Sequence, residues 1–308
     1  MKIIYLGTPN FAVAPLDALI KAGHTIVGVV TKVDKVNARG NKVVFSAVKE
    51  YALQHNLPLF QFESIKRQGV EPLKQLNADI MITASFGQIL SEELINLCKF
   101  GVLNIHGSIL PKLRGASPVA SSLLNGDKET GVTIMQTGVG LDDGDMLYIS
   151  KISIDADDNQ ETLMDKLSKL GADAIVKVLD DIEFYRENAQ KQDENLATHC
   201  KKILKEEAQL DFSKSANQLN NEIRAFYNNP TAYFKFNETL YKVFKVEVVN
   251  QNYSSYGEVV AYDKANGFVV SCGLGAIKIM EIQKQGGKVL GIKDFMNGNK
   301  FEVGQKLN

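Results

Sequence analysis

The amino-acid sequence predicts an α/β protein: a doubly wound, mostly parallel sheet followed by a small antiparallel β-barrel. Three observations carry this reading. Short apolar runs alternate with amphipathic helical stretches through about the first hundred residues. From about Thr239 onward, short strands follow one another with turn signals between them. Between these regions, from about Gln190 to Glu207, charge is dense and apolar periodicity weak. Strands alternating with helices imply a parallel sheet with crossover helices, whereas successive short strands close most naturally into a barrel. The expected division is therefore a domain over 1–189, a linker over 190–207 and a second domain over 208–308. A chain of 308 residues, 44% hydrophobic, is long enough for two such cores.

The elements follow in order. Lys2 to Leu6 reads as a buried strand, and Gly7-Thr8-Pro9 turns it into a helix through about Ala22, with Pro9 near the first turn. Gly23 closes that helix, and Thr25 to Thr31 is the next strand. After a polar stretch from Lys32 to Asn41 comes a helix from about Phe45 to His55. Ala78 to Ala84 and Gly101 to Ile105 are strands, with Glu92 to Cys98 helical between them. From Gly131 the pattern changes: Val132 to Met135 and Asp145 to Ile154 are strands with no helix between, and Thr162 to Asn188 is one long helical stretch. The later strands are Tyr241 to Val249, Tyr256 to Tyr262, Gly267 to Ser271 and Ala276 to Ile282.

Several function classes are excluded early. A glycine after the first strand suggests dinucleotide binding, but Gly7 is followed by Thr8, Pro9, Asn10, Phe11 and Ala12, so the second glycine of the fingerprint is missing. Cys98, Cys200 and Cys272 form no Cys-x-x-Cys pair and no zinc spacing; they read as reduced, packed thiols, and no metal is expected. No apolar run approaches the ~18 residues of a membrane span, and the N-terminus lacks a signal-peptide pattern, so the cytoplasm is the expected location. With a net charge of -1, no global electrostatic case exists for a nucleic-acid or membrane partner, although the chain from Ala208 onward carries more cations than anions.

The densest chemistry lies in Asn104-Ile105-His106-Gly107-Ser108-Ile109-Leu110-Pro111-Lys112-Leu113-Arg114-Gly115. Two residues apart on one strand, Asn104 and His106 project to the same side. An amide donor beside an imidazole suits acyl transfer, the first stabilising an oxyanion and the second handling a proton. The second stretch is Gly138-Val139-Gly140-Leu141-Asp142-Asp143-Gly144-Asp145. It lacks the spacing and terminal Glu of a calcium loop. Its functional reading places one carboxylate beside His106, holding the ring and favouring its protonated form. Asp143 and Asp145 read as ordinary solvated turn residues.

Taken together, Asn-x-His at 104–106, Ser-Ile-Leu-Pro-Lys-x-Arg-Gly at 108–115, Gly-Val-Thr at 131–133 and Leu-Asp-x-Gly at 141–144 resemble the signature of folate-dependent formyltransferases. The likeness runs nearly end to end, from Gly7-Thr8-Pro9-Asn10-Phe11-Ala12 through Lys205-Glu206-Glu207-Ala208 and Arg224-Ala225-Phe226. It implies a Rossmann-like formyltransferase domain and a C-terminal barrel of the oligonucleotide-binding (OB) type. The catalytic Asn, His and Asp fall on Asn104, His106 and Asp142. The formyl donor would be 10-formyltetrahydrofolate, and the acceptor the α-amine of methionyl initiator tRNA, used by a monomer with no obligate protein partner. By the same resemblance, Phe86, Gly87, Gln88, Ile89, Leu90, Ser108, Ile109, Leu110, Pro111, Thr137, Gly138, Val139, Gly140 and Leu141 would line the folate pocket. Plain core packing is the alternative for Ile89, Leu90, Ile109 and Leu110. Lys32, Lys35, Arg39 and Lys42 would contact tRNA from an inserted loop, for which an ordinary solvated loop is the alternative, joined by Arg114; Lys242 and Lys245 could add phosphate contacts from the barrel, where a generic lysine-rich surface is the alternative.

Departures from the family pattern concern substrate grip. Val33 and Val36 stand where prolines are usual, Ala38 where glycine is, and Leu113 where an aromatic is; Asn228 and Asn229 replace a proline and an aromatic. Two other readings compete. A sugar-nucleotide or glycinamide ribonucleotide acceptor would keep the chemistry and change the amine, but demands neither the barrel nor the Lys32–Lys42 loop. A non-catalytic RNA-binding module would be expected to have lost at least one of the three polar residues.

Overall fold

The computed structural model of the chain describes residues 1–36 and 43–308. The fold has two compact units: Met1–Pro118, Glu129–Ser153 and Met164–Cys200 form the first, and Val119–Lys128, Ile154–Leu163 and Lys201–Asn308 the second.

The first unit is built on a seven-stranded sheet. Its strands are β1 (Lys2–Gly7), β2 (Thr25–Thr31), β3 (Leu59–Gln61), β4 (Ile80–Ala84), β5 (Val102–His106), β6 (Glu129–Gln136) and β7 (Met146–Ser153), in the order β7-β6-β5-β4-β1-β2-β3. Strands β3, β2, β1, β4 and β5 run parallel; β6 pairs antiparallel with β5, and β7 antiparallel with β6. Ile3, Ile4, Tyr5 and Leu6 in β1, and Ile80, Met81 and Ile82 in β4, are fully buried. Burial on both faces is what crossover helices impose on a parallel sheet, which is why these strands are continuous apolar runs. Helix α1 (Val13–Lys21) buries Pro15, Leu16 and Leu19; α2 (Ala47–Gln54) starts at Ser46, whose hydroxyl accepts from Lys49 N at 3.2 Å.

Gly7 has a packing explanation. A Cβ there would stand 2.7 Å from Ala12 Cβ and 3.3 Å from the Ala84 carbonyl, so the close approach of three chain segments demands glycine without any pyrophosphate.

The long helical stretch expected over Thr162 to Asn188 is two helices: α3 (Gln160–Asp180) and a separate turn over Ile182–Glu187. Asp181 interrupts them, its side chain accepting from Phe184 N at 3.3 Å as an N-cap. Periodicity alone passes over such a break, because a polar residue on the exposed face leaves the apolar pattern intact.

In the second unit β8 (Tyr233–Phe236), β9 (Thr239–Val249), β10 (Val259–Asp263), β11 (Gly267–Ser271) and β12 (Ala276–Lys284) pair antiparallel in the order β8-β9-β12-β11-β10. Irregular register around Lys245 bends the long β9 and curls the sheet. The final residues join its edges. Lys235 N donates to Asn308 O at 2.6 Å on the β8 side, while Leu307 N donates to Gly257 O and Val259 N to Gln305 O, at 2.8 and 2.9 Å, on the β10 side. The sequence-predicted barrel is therefore present. Phe234, Tyr241, Phe268, Phe295 and Phe301 fill it. Helix α4 (Ala216–Ala225), which the sequence reading passed over, begins with a capping box of Ser215 and Gln218.

Candidate active site

Asn104 and His106 occupy the carboxyl end of β5, next to β4 in parallel register with Thr83 opposite Asn104. The Thr83 hydroxyl donates to Asn104 Oδ1 at 2.8 Å, which turns the amide NH2 away from the strand neighbour. That NH2 faces Asp142 Oδ1 at 3.4 Å. The other Asp142 oxygen accepts from Gly115 N at 2.9 Å and lies 3.6 Å from His106 Nδ1. The end of one strand and the loop at 113–115 thus converge on a single carboxylate, and Asn104, His106 and Asp142 are brought together as expected.

His106 is 5% exposed, and its Nε2 lies 3.0 Å from the Leu113 carbonyl. A carbonyl only accepts, so Nε2 carries the proton. Burial pushes the ring below the ordinary imidazole range, while Asp142 and the Leu113 carbonyl pull the other way. At 3.6 Å the Nδ1–carboxylate approach is too long for a hydrogen bond, which accords with a ring that is neutral at rest. Asp142 thus favours the protonated ring, as expected from the sequence, while desolvation, the larger effect, opposes it.

Backbone conformation serves this geometry. Leu113 has φ 59° and Asp142 φ 51°, left-handed values that cost a non-glycine residue roughly 1–2 kcal/mol. At φ 118° Gly115 is required, since a Cβ would stand 2.3 Å from the Cys200 carbonyl. Leu113 aims its carbonyl at His106, and Gly115 presents its N–H to Asp142.

The expected folate-lining residues divide into groups. Phe86 and Leu110 are buried, Leu110 against Met135 and Met146, and Leu90 packs on the core around Phe86. Core packing is thus what Leu90 and Leu110 do, while Ile109 is half-buried. Ser108 donates to Lys112 O at 2.7 Å, and Thr133 fastens the same loop through Ser108 O at 2.7 Å and Leu110 N at 3.1 Å. Pro111 O accepts from Thr198 N, and Thr137 N bonds Val102 O. Gln88 spends its side chain on Ile65 N and Phe62 O. Gly87, Gly138 and Gly140 offer main chain only. Ile89, Val139 and Leu141 stand out: they are 81%, 80% and 62% exposed on loops after β4 and β6.

A cavity of about 440 Å³ is lined by Lys32, Val33, Lys35, Glu63, Ser64, Lys66, Gln88 and Ile89. It brings the expected tRNA-contacting Lys32 and Lys35 beside two expected folate-lining residues, but the trio does not line it. Arg39 and Lys42 lie outside the described residues. Lys242 and Lys245 stand on β9, where Lys245 is in register with Glu281 of β12. Arg114, expected among the tRNA-contacting cations, is corrected by its surroundings. It is 3% exposed, with Nε donating to Gln192 Oε1 at 2.9 Å and both terminal nitrogens to Glu194 at 3.0 and 2.8 Å. Its guanidinium is an internal brace.

The sequence reading missed the residues that carry this brace. Gln192, Glu194, Thr198 and Cys200 all meet the 110–116 loop, and His199–Cys200 pairs in parallel with Arg114–Gly115. No local signal marks them; the stretch has neither periodicity nor motif. All three cysteines are buried; burial pushes Cys98 up to about 11 and Cys272 up to about 12, which suits inert thiols, while Cys200 Sγ donates to Leu113 O at 3.5 Å. Among the described residues no cluster of His, Cys, Asp or Glu suited to a metal ion occurs, and no helix is long and apolar enough to cross a membrane.

Comparison with known proteins agrees with this architecture. The family model described as "Formyl transferase" matches residues 1–179, and that described as "Formyl transferase, C-terminal domain" matches 202–300. The chain is 42% identical over 302 residues to a methionyl-tRNA formyltransferase of Pseudoalteromonas translucida (strain TAC 125), covering 97% of this chain and 94% of that protein. It is 40% identical over 310 residues to one from Sulfurihydrogenibium sp. (strain YO3AOP1), covering both chains in full (100% each). Among solved structures, an N-formyltransferase from Helicobacter canadensis in complex with folinic acid and dTDP-3-aminofucose shares the fold, with TM-score 0.65 and 22% identity, covering 91% of this chain and 99% of that one. With both halves matched in order and relatives alike over their whole length, the chain belongs to the formyl transferase family.

Proposed function

We propose that the chain transfers the formyl group of 10-formyltetrahydrofolate to the free α-amine of methionyl initiator tRNA, giving N-formylmethionyl-tRNA. The observation that carries this reading is the convergence of Asn104 and His106 on Asp142, in a chain 40–42% identical to methionyl-tRNA formyltransferases over nearly its whole length. The donor supplies an electrophilic formyl carbon on N10. The Asn104 amide donates to the formyl oxygen as negative charge develops there; one preorganised donor of this kind is worth roughly 3–4 kcal/mol of barrier. Neutral at rest, His106 takes the proton that the attacking amine loses as the new C–N bond forms, through Nδ1, and returns it to N10 as the old C–N bond breaks. Asp142 then faces an imidazolium, the state its charge stabilises.

The exposed apolar side chains Ile89, Val139 and Leu141 support a folate-binding role, since they offer apolar contact for a flat heterocycle beside main-chain polar groups. We assign formyl transfer to residues 1–189 and tRNA grip to the 208–308 barrel, with Lys32, Lys35, Arg39 and Lys42 adding contacts, in a monomeric cytoplasmic enzyme. The test is formylation of charged initiator tRNA, uncharged tRNA, glycinamide ribonucleotide and dTDP-amino sugars, each with 10-formyltetrahydrofolate. Charged tRNA should be preferred by orders of magnitude. Preference for a small amine would overturn the acceptor and keep the transferase.

A further inference from the structure

We propose that Gln192 is a positioning residue, its side-chain amide fixing the main chain that carries Asp142 and so setting where that carboxylate stands against His106. The proposal rests on the formyl-transfer reading above. Gln192 Nε2 donates to Asp142 O and to Gly144 O, both at 2.8 Å, and Oε1 accepts from Arg114 Nε at 2.9 Å. Both amide hydrogens and the carbonyl oxygen are therefore used, between two loops that each send atoms to the site. The 113–115 loop supplies the Leu113 carbonyl to His106 and the Gly115 N–H to Asp142. The other loop supplies Asp142 itself, at φ 51°.

The surrounding strap is anchored independently. Arg114 N donates to Thr198 O at 2.8 Å, Leu113 N to Thr198 Oγ1 at 2.9 Å, and Ala116 N to Cys200 O at 3.1 Å. Those bonds tie residues 198–200 to the first loop whatever stands at 192. Gln192 alone, among the described residues of the strap, reaches the Asp142 loop through its side chain. Only an amide fits all three contacts: two carbonyls demand donors, and a guanidinium demands an acceptor. A carboxylate of the same size would keep Arg114 and turn an acceptor toward two carbonyl oxygens.

Gln192→Glu therefore separates positioning from simple tethering, and Gln192→Met removes every polar contact at similar volume. Three quantities decide: kcat and KM for both substrates, the NMR titration of the His106 ring in the unliganded protein, and the melting temperature. Gln192→Glu should lower kcat by roughly 10- to 100-fold, the scale on which misplacing a catalytic group by about 1 Å acts. Both KM values should stay within about threefold, since a carboxylate moved by this amount alters the reacting geometry rather than the binding contacts. The His106 midpoint should shift, and the melting temperature should barely move. Should Gln192→Met fail to fold, Gln192→Glu still decides. An active wild type whose kcat and His106 titration are both unchanged by Gln192→Glu would overturn the proposal. So would an activity loss that only follows the folded fraction. A wild type inert toward every amine, with the His106 midpoint still displaced by Gln192→Glu, would overturn the formyl-transfer reading and leave the positioning geometry standing.

Discussion

Across the two parallel strands at the centre of the site, Thr83 Oγ1 donates to Asn104 Oδ1 at 2.8 Å, and this bond decides which way the Asn104 amide points. A side-chain amide offers donors at one end and an acceptor at the other, and only the donor end can steady a developing oxyanion. Thr83 occupies the acceptor end and leaves the NH2 toward Asp142.

Thr83→Val, nearly isosteric, should therefore lower kcat about fivefold, in line with the roughly 1 kcal/mol of one such bond, while the melting temperature changes little. Asn104→Ala should lose far more, roughly 10²–10³-fold. Steady-state formylation of charged tRNA measures both. An Asn104→Ala enzyme within a few-fold of wild type would remove Asn104 from the mechanism.

His106 should titrate below the ordinary value of about 6.5, because burial outweighs the pull of Asp142. The sign for stability follows. Below pH ~6.5 the unfolded chain takes up a proton that the folded ring refuses, so the folded state loses stability as pH falls from there toward the folded value, and gains nothing above it. Asp142→Asn removes the opposing charge and should lower the midpoint further. NMR titration of the ring reads both, and a midpoint above 6.5 in the wild type contradicts the neutral resting state.

Gly115→Ala should destabilise the site loop by about 1–3 kcal/mol, since it sits at φ 118° and the new Cβ would meet the Cys200 carbonyl at 2.3 Å. The same displacement takes the Gly115 N–H off Asp142, so kcat should fall with it. Hydrogen exchange at 113–116, together with turnover, checks this. Full protection in the variant would show that the loop tolerates the methyl group.

In the barrel, Phe234→Ala should cost about 3–5 kcal/mol, because the ring is fully buried and stacks on Tyr241 at 5.3 Å. Amides of the β8–β12 sheet should then exchange faster, with Asn104 and His106 chemistry unaffected for a small amine acceptor. Unchanged exchange in those strands would mean that the cavity collapses without loss.

Lys35→Ala and Arg39→Ala should each raise KM for tRNA and reduce the salt slope of tRNA binding by about one, as expected of cations at phosphates, without changing folate affinity. Arg114→Lys should do the opposite. Its lost bidentate pair with Glu194 should depress kcat and leave the salt slope intact. A lower salt slope in Arg114→Lys would restore it as a phosphate contact.

How much of this was legible along the chain depended on the range of the signal. Continuous apolar runs such as Ile3–Leu6 mark strands covered on both faces, and apolar residues recurring every three to four positions mark helices, so most of the elements in both units could be read directly, although the short strands Leu59–Gln61 and Tyr233–Phe236 were not. Asn104 and His106 lie two residues apart on one strand, which places them on one side without further information. Helix α4 was readable from Ser215 and Gln218 and was passed over. The break at Asp181 was hidden by an intact apolar pattern.

The chain by itself determined the doubly wound sheet, the barrel and the placement of Asn104 and His106 on one side of one strand, because each rests on local spacing, while Asp142 was reached through the resemblance of the combined motifs to a family. Tertiary structure alone decided that the Arg114 guanidinium is spent on Glu194, that Gln192 reaches Asp142, that residues 305–308 close the barrel and that burial draws the His106 ring below the ordinary imidazole range. Each of these depends on which atoms meet across 50 or more residues or on how much water is excluded from a buried ring, and neither quantity is carried by the spacing of residues along a chain.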